Sequence, residues 1–312
     1  MSYNPTKPYK NAVLKLIQET WHTPYISVQK GAYSIFRRKF NHPEVDHTDG
    51  IGTKGIFHWR KRTFHSAVLD ALAMNLNDLA MARAIPYKLQ CHLILSEDDK
   101  SAILEIMGHL VKECKKRQIA ITGGETSIQN NFEGFDIGLT VSGFVKKDKK
   151  NMFFTGDVLV GLASDGLHSN GFTTVRKVLG NSISDELTKP TKIYFDSLHE
   201  LDNKYNINGM MHITGGAFTK LKDLLSGTDA IITNTHSLKP QPIFRKIYSR
   251  KIGDRDMYKT FNCGIGFILS TSAVNAFKIA SRVKGADIVG KVIPGMGKVK
   301  ITSMFSGKEL SL

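Results

Sequence analysis

Three short runs of oxygen-bearing side chains are the first residues in this chain able to do chemistry. In His47-Thr48-Asp49-Gly50-Ile51-Gly52-Thr53-Lys54, an aspartate is followed closely by two glycines. Backbone N–H groups next to such glycines approach an anion while the carboxylate faces a cation, and Lys54 is placed to meet a phosphate. Asp-Gly and Gly-Thr are also common turn pairs, and the spacing is not that of a Walker A loop. In the run from Asp70 to Asp78, helical spacing puts Asp70 and Asn77 about 20° apart and Asp78 about 80° to one side. Leu69, Leu72, Met74, Leu76 and Leu79 leave little of that helix polar. Carboxylates there need a pair or a metal, unless Asn75 or Asp78 simply faces water or caps a strand. Thr122-Gly123-Gly124-Glu125-Thr126 follows a strand and reads as a close-approach turn carrying another hard oxygen. Asp49, Asp78 and Glu125 together look like a magnesium–nucleotide site, since magnesium takes a couple of carboxylates plus phosphate oxygens.

The second half carries softer, neutral groups. Ser164-Asp165-Gly166-Leu167-His168-Ser169-Asn170-Gly171 links a strand to a helix, where backbone N–H groups with Ser, Asn and His side chains suit a phosphate or a sugar. A lone histidine is more often structural, but the Ser-Asn-Gly that follows His168 at a helix start shifts it toward function. His212-Ile213-Thr214-Gly215-Gly216 repeats the design ahead of another expected helix, and Met257 to Gly266 enters a strand through Asn262, Cys263 and Gly264. Cys263 has an apolar setting and no base beside it, so a nucleophilic role is not expected.

Periodicity supplies the elements that hold these runs. It predicts a helix over 10–20, a strand from Glu44 to Thr48, a helix from Ser66 to Arg83 and a strand from Lys88 to Leu95. A helix follows from Asp98 to Lys116, started by the acidic cluster 96–99, then strands from Ile119 to Thr122 and Phe135 to Val145. That order predicts an α+β domain with helices on one face of a sheet. The charged, anchor-free stretch Lys146 to Asn151 predicts a boundary, giving domains 1–148 and 149–312. Beyond it, a strand from Asp157 to Ala163 and a helix from about Gly171 open an α/β domain. Further helices are expected over 193–203, 217–225, 242–249 and 273–283, with strands over 230–233, 264–269 and 287–292.

Composition narrows the class. With 41% hydrophobic and 23% charged residues over 312 positions, the chain is globular and not disordered. No apolar run approaches the ~18 residues of a membrane-spanning helix, and the first residues lack a signal-peptide pattern. Three cysteines (Cys91, Cys114, Cys263) match no disulfide or zinc framework, so a reducing, cytoplasmic setting is expected. The net charge of +15 suits polyanions or phosphorylated small molecules. Its lysines are scattered, without the aromatic-interleaved stripe of a nucleic-acid binder.

The runs Asp49 to Lys54, Met74 to Leu79, Gly123 to Thr126, Gly156 to Ala163 with His168 to Gly171, His212 to Gly216, and Met257 to Gly266 occur in one order. In that order they resemble the aminoimidazole ribonucleotide synthetase (phosphoribosylformylglycinamidine cyclo-ligase) family, over about residues 45–300. The first runs are shared with formylglycinamidine ribonucleotide synthetase, selenophosphate synthetase, thiamine-phosphate kinase and a hydrogenase maturation factor; the last three runs resemble the cyclo-ligase. The resemblance implies a homodimer whose N-terminal sheets pair into a barrel, with active sites near that interface. It implies ATP-dependent ring closure of formylglycinamidine ribonucleotide to aminoimidazole ribonucleotide. Asp49, Asp78 and Glu125 would then hold Mg2+, while Gly50, Lys54, Asp70, Asn77, Gly123 and Gly124 support ATP. His168, Ser169, Asn170, Thr214, Gly215 and Gly216 would hold the substrate, with His168 or His212 moving protons. The family's glycine-rich loop over the nucleotide corresponds here to Pro24–Phe40, which has only Gly31 but carries Lys30, Arg37, Arg38 and Lys39. A small-molecule kinase of the same superfamily, or an inactive nucleotide- or nucleic-acid-binding relative, is the alternative.

Overall fold

Alternating apolar and polar residues from Ala84 to Leu95 and from Phe135 to Val145 make two long strands with one wet and one dry face, and the first unit is built on them. The structure, a computed structural model, describes residues 8–31, 33–131, 133–180 and 184–312. The N-terminal residues 1–7, where the absence of a signal pattern was read, and Ala32 within 24–40 therefore lie outside the described residues. The chain divides into two compact units, one of residues 1–79 and 84–146, the other of 80–83 and 147–312.

The first unit holds a hairpin of β1 (Ile26–Gln29) and β2 (Ile35–Arg38), and a four-stranded sheet. The sheet contains β3 (Glu44–Gly50), β4 (Ala84–Leu95), β5 (Ala120–Ile128) and β6 (Phe135–Val145), in the order β3-β6-β4-β5. β6 runs antiparallel to β3 and β4, and β4 runs parallel to β5. Leu89, Cys91, Leu93, Ile137, Leu139 and Val141 are buried on one face, while Gln90, His92, Gly138 and Thr140 stay on the open face. Among the described residues this unit has four helices: α1 (Lys10–Gln18), α2 (Lys54–Lys61), α3 (Phe64–Met81, all but its end) and α4 (Lys100–Arg117). The expected acidic start of α4 is there, with Asp99 Oδ1 accepting from the Ala102 N–H at 2.9 Å. Such a cap contributes about 1 kcal/mol.

Two expectations in this unit are corrected. Lys54 opens a helix instead of lying in a phosphate loop. Gly123 and Gly124 do not end a strand, because β5 runs through them to Ile128. Gly124 is needed there for close approach: its φ is +155°, and a Cβ would collide with the Cys91 carbonyl of β4.

The second unit is a seven-stranded sheet in the order β13-β12-β9-β11-β7-β10-β8. Its strands are β7 (Val158–Ala163), β8 (Ile207–His212), β9 (Thr228–Ile232), β10 (Ile265–Thr271), β11 (Ala286–Pro294), β12 (Val299–Thr302) and β13 (Glu309–Ser311). Among the described strands, β12 with β9 pairs parallel, and the other neighbours are antiparallel. The unit is therefore mixed α and β, built on an antiparallel sheet and not on the parallel one that an α/β domain implies. Its helices are α5 (Phe172–Leu179), α6 (Phe195–Lys204), α7 (Pro242–Tyr248), α8 (Asp254–Thr260) and α9 (Ala273–Arg282), and the expected helix after Gly216 is a 3-10 stretch, Ala217–Leu224. Leu198 and Leu201 of α6 and Ala276 and Ile279 of α9 share a buried cluster with Val160, Leu162, Phe267 and Leu269. Among the described residues, no helix is long and apolar enough to cross a membrane.

Candidate functional site

In the first unit, α2 and α3 place charge in the interior. Lys54 and His58, one turn apart on α2, both reach Asp70 of α3: Lys54 Nζ donates to Oδ1 at 2.8 Å, and His58 Nε2 lies 2.9 Å from Oδ2. All three side chains are fully buried. Burial alone would raise the Asp70 carboxyl, but the charge of Lys54 and the His58 hydrogen bond outweigh it and hold it well below the carboxylate range. His58 Nδ1 meets Thr63 Oγ1 at 2.8 Å. The Lys54 ammonium, expected at a phosphate, thus faces Asp70 from the interior.

One edge of the sheet brings the next group together. Asp49 is next to last in β3 and pairs with Leu139, so it lies on the helix-covered face, as does His47 opposite Val141. On α3, Asn75 and Asp78 are three residues apart and meet this strand. Asn75 Nδ2 donates to the carbonyls of Asp49 at 3.1 Å and Ala71 at 2.9 Å, while its Oδ1 lies 3.1 Å from His47 Nδ1. His47 Nε2 is 3.3 Å from Asp78 Oδ2. The hydrogen bond to Asp78 raises the His47 imidazole above its ordinary value, against the opposing effect of burial. Asp49 Oδ1 accepts from the Gly50 N–H at 2.7 Å, and Asn77 is buried.

Glu125 is elsewhere. It pairs with His92, His92 with Gly138, and Gly138 with Gly50, so it sits three strands from Asp49, roughly 14 Å at the usual strand spacing. It also lies on the open face, where it is exposed. Within one protomer, then, Asp49 and Asp78 belong to one edge and Glu125 to the other. Among the described residues no group of three His, Cys, Asp or Glu side chains is gathered tightly enough to hold a metal alone. What the β3 edge offers is a carboxylate with an imidazole beside it. That donor set fits a divalent ion taking most of its ligands from phosphates and water.

In the second unit, antiparallel pairing brings three loops to one end of the sheet. β10 lies between β7 and β8, with Ile265 opposite Ala163 and Phe267 opposite His212. The segment after β7, the segment after β8 and the turn before β10 therefore meet. Asn262 ties two of them, donating to the Gly166 carbonyl at 2.9 Å and accepting from Ser164 Oγ at 2.8 Å. Asn170 bonds the Thr260 carbonyl, and its Oδ1 accepts from Thr214 Oγ1 at 3.3 Å. Ser169 Oγ is 3.5 Å from Thr191 Oγ1. Nothing lies within 4 Å of where a Cβ on Gly215 would be.

His168 and His212 are buried side by side, their rings 5.1 Å apart. Tyr194 joins them, and its hydroxyl donates to the Ala163 carbonyl at 2.8 Å. Burial pushes that phenol well up, and Asp165 adds to the effect. Gly266 has to be glycine here, because a Cβ would run into the Tyr194 hydroxyl and crowd His168. Cys263 is a buried thiol, pushed well up by burial.

Sequence reasoning gave roles to the acidic residues but none to His47, His58 or Tyr194. The available signals were weak: His47 is two residues before Asp49 on the same strand face, and His58 is one turn after Lys54.

Comparison with known proteins fits both units. Residues 34–145 match the family described as AIR synthase related protein, N-terminal domain, and residues 155–301 match its C-terminal domain. In fold, the chain resembles hydrogenase maturation protein HypE in complex with ATP, with a TM-score of 0.66 at 16% identity over 88% of this chain and 86% of that one. It also resembles thiamine-monophosphate kinase from Stenotrophomonas maltophilia, with a TM-score of 0.65 at 16% identity over 96% of each chain. These features define a two-domain protein of the AIR synthase related class. Within that class, the chain is 34% identical over 300 residues to the phosphoribosylformylglycinamidine cyclo-ligase of Saccharolobus solfataricus, covering 93% of this chain and 90% of that protein. The enzyme of the same name from Clostridium perfringens is 36% identical over 241 residues, 72% of each. The chain belongs to the phosphoribosylformylglycinamidine cyclo-ligase family.

Proposed function

We propose that this chain is an ATP-dependent cyclo-ligase of purine biosynthesis that closes formylglycinamidine ribonucleotide to aminoimidazole ribonucleotide, with release of ADP and phosphate. The observation that carries this reading is identity above 30% to enzymes of that name over nine-tenths of the chain. The formyl oxygen is a poor leaving group. Transfer of the γ-phosphoryl group of ATP to it, with loss of the amide proton, gives an iminophosphate. The ribose-bearing amidine nitrogen of the same molecule then attacks the formyl carbon, and phosphate departs with the former formyl oxygen. Because the attack is intramolecular, the protein's work is to fix geometry and neutralise phosphate charge.

Each unit has residues suited to part of that work. Asp49 and Asp78 would hold a nucleotide-bound magnesium ion, which neutralises phosphate charge when bound. Lys54, His58 and Asp70 would fix α2 against α3, and so hold the Asp49–Gly52 turn, with Gly50, beside the nucleotide; Asn77 is buried on α3. Glu125, with Gly123 and Gly124, would serve the same centre in a second copy, since the unpaired β3 and β5 edges of two such sheets could join them into a barrel. In the second unit Ser169, Asn170, Thr214, Gly215 and Gly216 would hold the phosphoribosyl group. His168 or His212 would take the proton that the attacking nitrogen loses. The reading implies a homodimer working in the cytoplasm.

A coupled assay of ADP release tests this. Turnover is expected with formylglycinamidine ribonucleotide, to depend on magnesium, and to be absent with thiamine phosphate. Turnover with thiamine phosphate alone would make the chain a kinase, and salt-sensitive DNA binding without any turnover would make it an inactive relative.

A further inference from the structure

The groups placed around the phosphoribosyl moiety, Ser169, Asn170, Thr214, Gly215 and Gly216, are all neutral, whereas a phosphate monoester carries close to two negative charges at pH 7. Neutral donors orient such an anion, and a charged one binds it about twice as strongly. The second unit has a cation placed to complete the cradle. Thr214 Oγ1 donates to Asn170 Oδ1 at 3.3 Å, so the two loops form one surface. On that surface Gly215 and Gly216 are exposed. The N–H groups beside them are used inside the protein, that of Thr214 by the His212 carbonyl at 3.1 Å and that of Ala217 by the Thr214 carbonyl. Among the described residues, no acceptor meets the N–H of Gly215 or Gly216.

The 3-10 stretch Ala217–Leu224 determines which side chain stands over these amides. With three residues per turn, Phe218, Leu221 and Leu224 fall on one row, and all three are buried. Lys220 is on the row of Ala217, one turn in, and its stem runs back over Gly216. A Cβ on Gly216 would lie 3.2 Å from Lys220 Cγ and 3.7 Å from Cδ. The ammonium is carried just beyond Cδ, within reach of an anion seated on the two amides. Two other lysines border the cradle at different places. The Lys189 stem lies 3.9 Å from where a Cβ on Gly166 would be. The Lys192 ammonium is 5.5 Å from the centre of the Tyr194 ring, which adjoins both histidines. Of the three, Lys220 is the one at the open amides.

We propose that Lys220 binds the phosphate of the ribonucleotide substrate, its ammonium supplying charge while the Gly215 and Gly216 N–H groups supply direction. The proposal rests on the reading of these loops as the substrate site and adds the residue that tells a ribonucleotide from the free riboside. That phosphate takes no part in bond making, so Lys220 acts on binding and leaves the chemical step to other residues.

The test titrates aminoimidazole ribonucleotide, and the riboside that lacks its phosphate, into the full chain by calorimetry. The unaltered protein is expected to prefer the ribonucleotide by at least about 100-fold. Lys220→Met and Lys220→Gln are expected to weaken the ribonucleotide at least about 10-fold and the riboside less than about 3-fold. Lys220→Arg keeps stem and charge, and its retention of most of the preference separates loss of charge from loss of fold. Lys222→Met removes the same charge from an exposed position on another row of the same stretch, and is expected to shift neither affinity more than about 2-fold. In turnover by Lys220→Met, KM for formylglycinamidine ribonucleotide should rise at least about 10-fold, with kcat and KM for ATP within about 3-fold of the unaltered values. Unchanged ribonucleotide affinity, equal weakening of both compounds, a like loss in Lys222→Met, or a rise in KM for ATP instead overturns the proposal; turnover by the unaltered protein then leaves the cyclo-ligase reading standing. An unaltered protein that neither binds the ribonucleotide nor turns over overturns both.

Discussion

Asp70 is a fully buried carboxylate held by a lysine and a histidine from one helix, and the consequences of disturbing it differ from those of disturbing Asp78. Removing one partner of a buried ion pair leaves the other charge stranded, at a cost of about 3–5 kcal/mol. Lys54→Met is therefore expected to lower stability by about 3 kcal/mol in urea denaturation, whereas a phosphate-contacting lysine at the surface would leave the midpoint unchanged. Asp78→Ala is expected to keep the fold and lose magnesium-dependent ADP release by about 100-fold or more; normal turnover would remove it from the site. His168→Ala should cost cyclisation heavily, and unchanged kinetics would make the ring structural. The buried histidines also set a pH dependence. Burial holds His58 below its ordinary 6.5 and His236 at about 4. The unfolded chain thus takes up protons below pH 6.5 that the folded chain refuses, and stability falls as pH drops from 6.5 toward 4. Below pH 4, Asp70 adds a loss of the same sign as the unfolded chain's carboxylates protonate. Melting temperature is expected to fall across that window, with a shallower slope in His58→Gln. The acidic residues were legible because each stood beside glycines or on an apolar helix. That Lys54 turns inward was not, because it depends on the face α2 buries against α3.

At the scale of elements, the long periodic segments were readable and the short ones were not. β6 spans Phe135–Val145 as the alternation predicts, and α3 and α4 lie within a few residues of their expected bounds. β8 went unread because Asn208-Gly209 is a hairpin-turn signature; here Gly209 lets the strand pass Phe153, which a Cβ would strike. α8 has seven residues, too few for a helical period to show. The Gly-Gly of β5 read as a strand end, since glycine weakens strands and marks turns, whereas Gly124 marks a close approach to β4. Gly124→Ala tests that directly. It is expected to destabilise by about 2 kcal/mol or more, or to displace β5 from β4, with loss of amide protection in both strands. An unaffected midpoint would show that β5 does not need the glycine.

For the whole molecule, the decisive point is that Asp49 and Glu125 lie on opposite edges and opposite faces of one sheet. Sequence placed them in one site because it ranks residues by type and cannot see strand order. A homodimer in which the β5 edge of one copy comes to the β3 edge of the other would bring Glu125 to the partner's centre, and subunit mixing tests it. Asp78→Ala and Glu125→Ala are each expected to be inactive. If Glu125 serves the partner's centre, mixing the two variants makes hybrids with one intact site, and activity returns to about a quarter of the unaltered level. No recovery in a mixture shown to exchange subunits would confine each site to one protomer. The chemistry itself is tested most directly with substrate labelled by 18O in the formyl group. Transfer of the γ-phosphoryl group to that oxygen predicts one 18O in the phosphate released for each aminoimidazole ribonucleotide formed; unlabelled phosphate, with the label lost to water, would contradict the account.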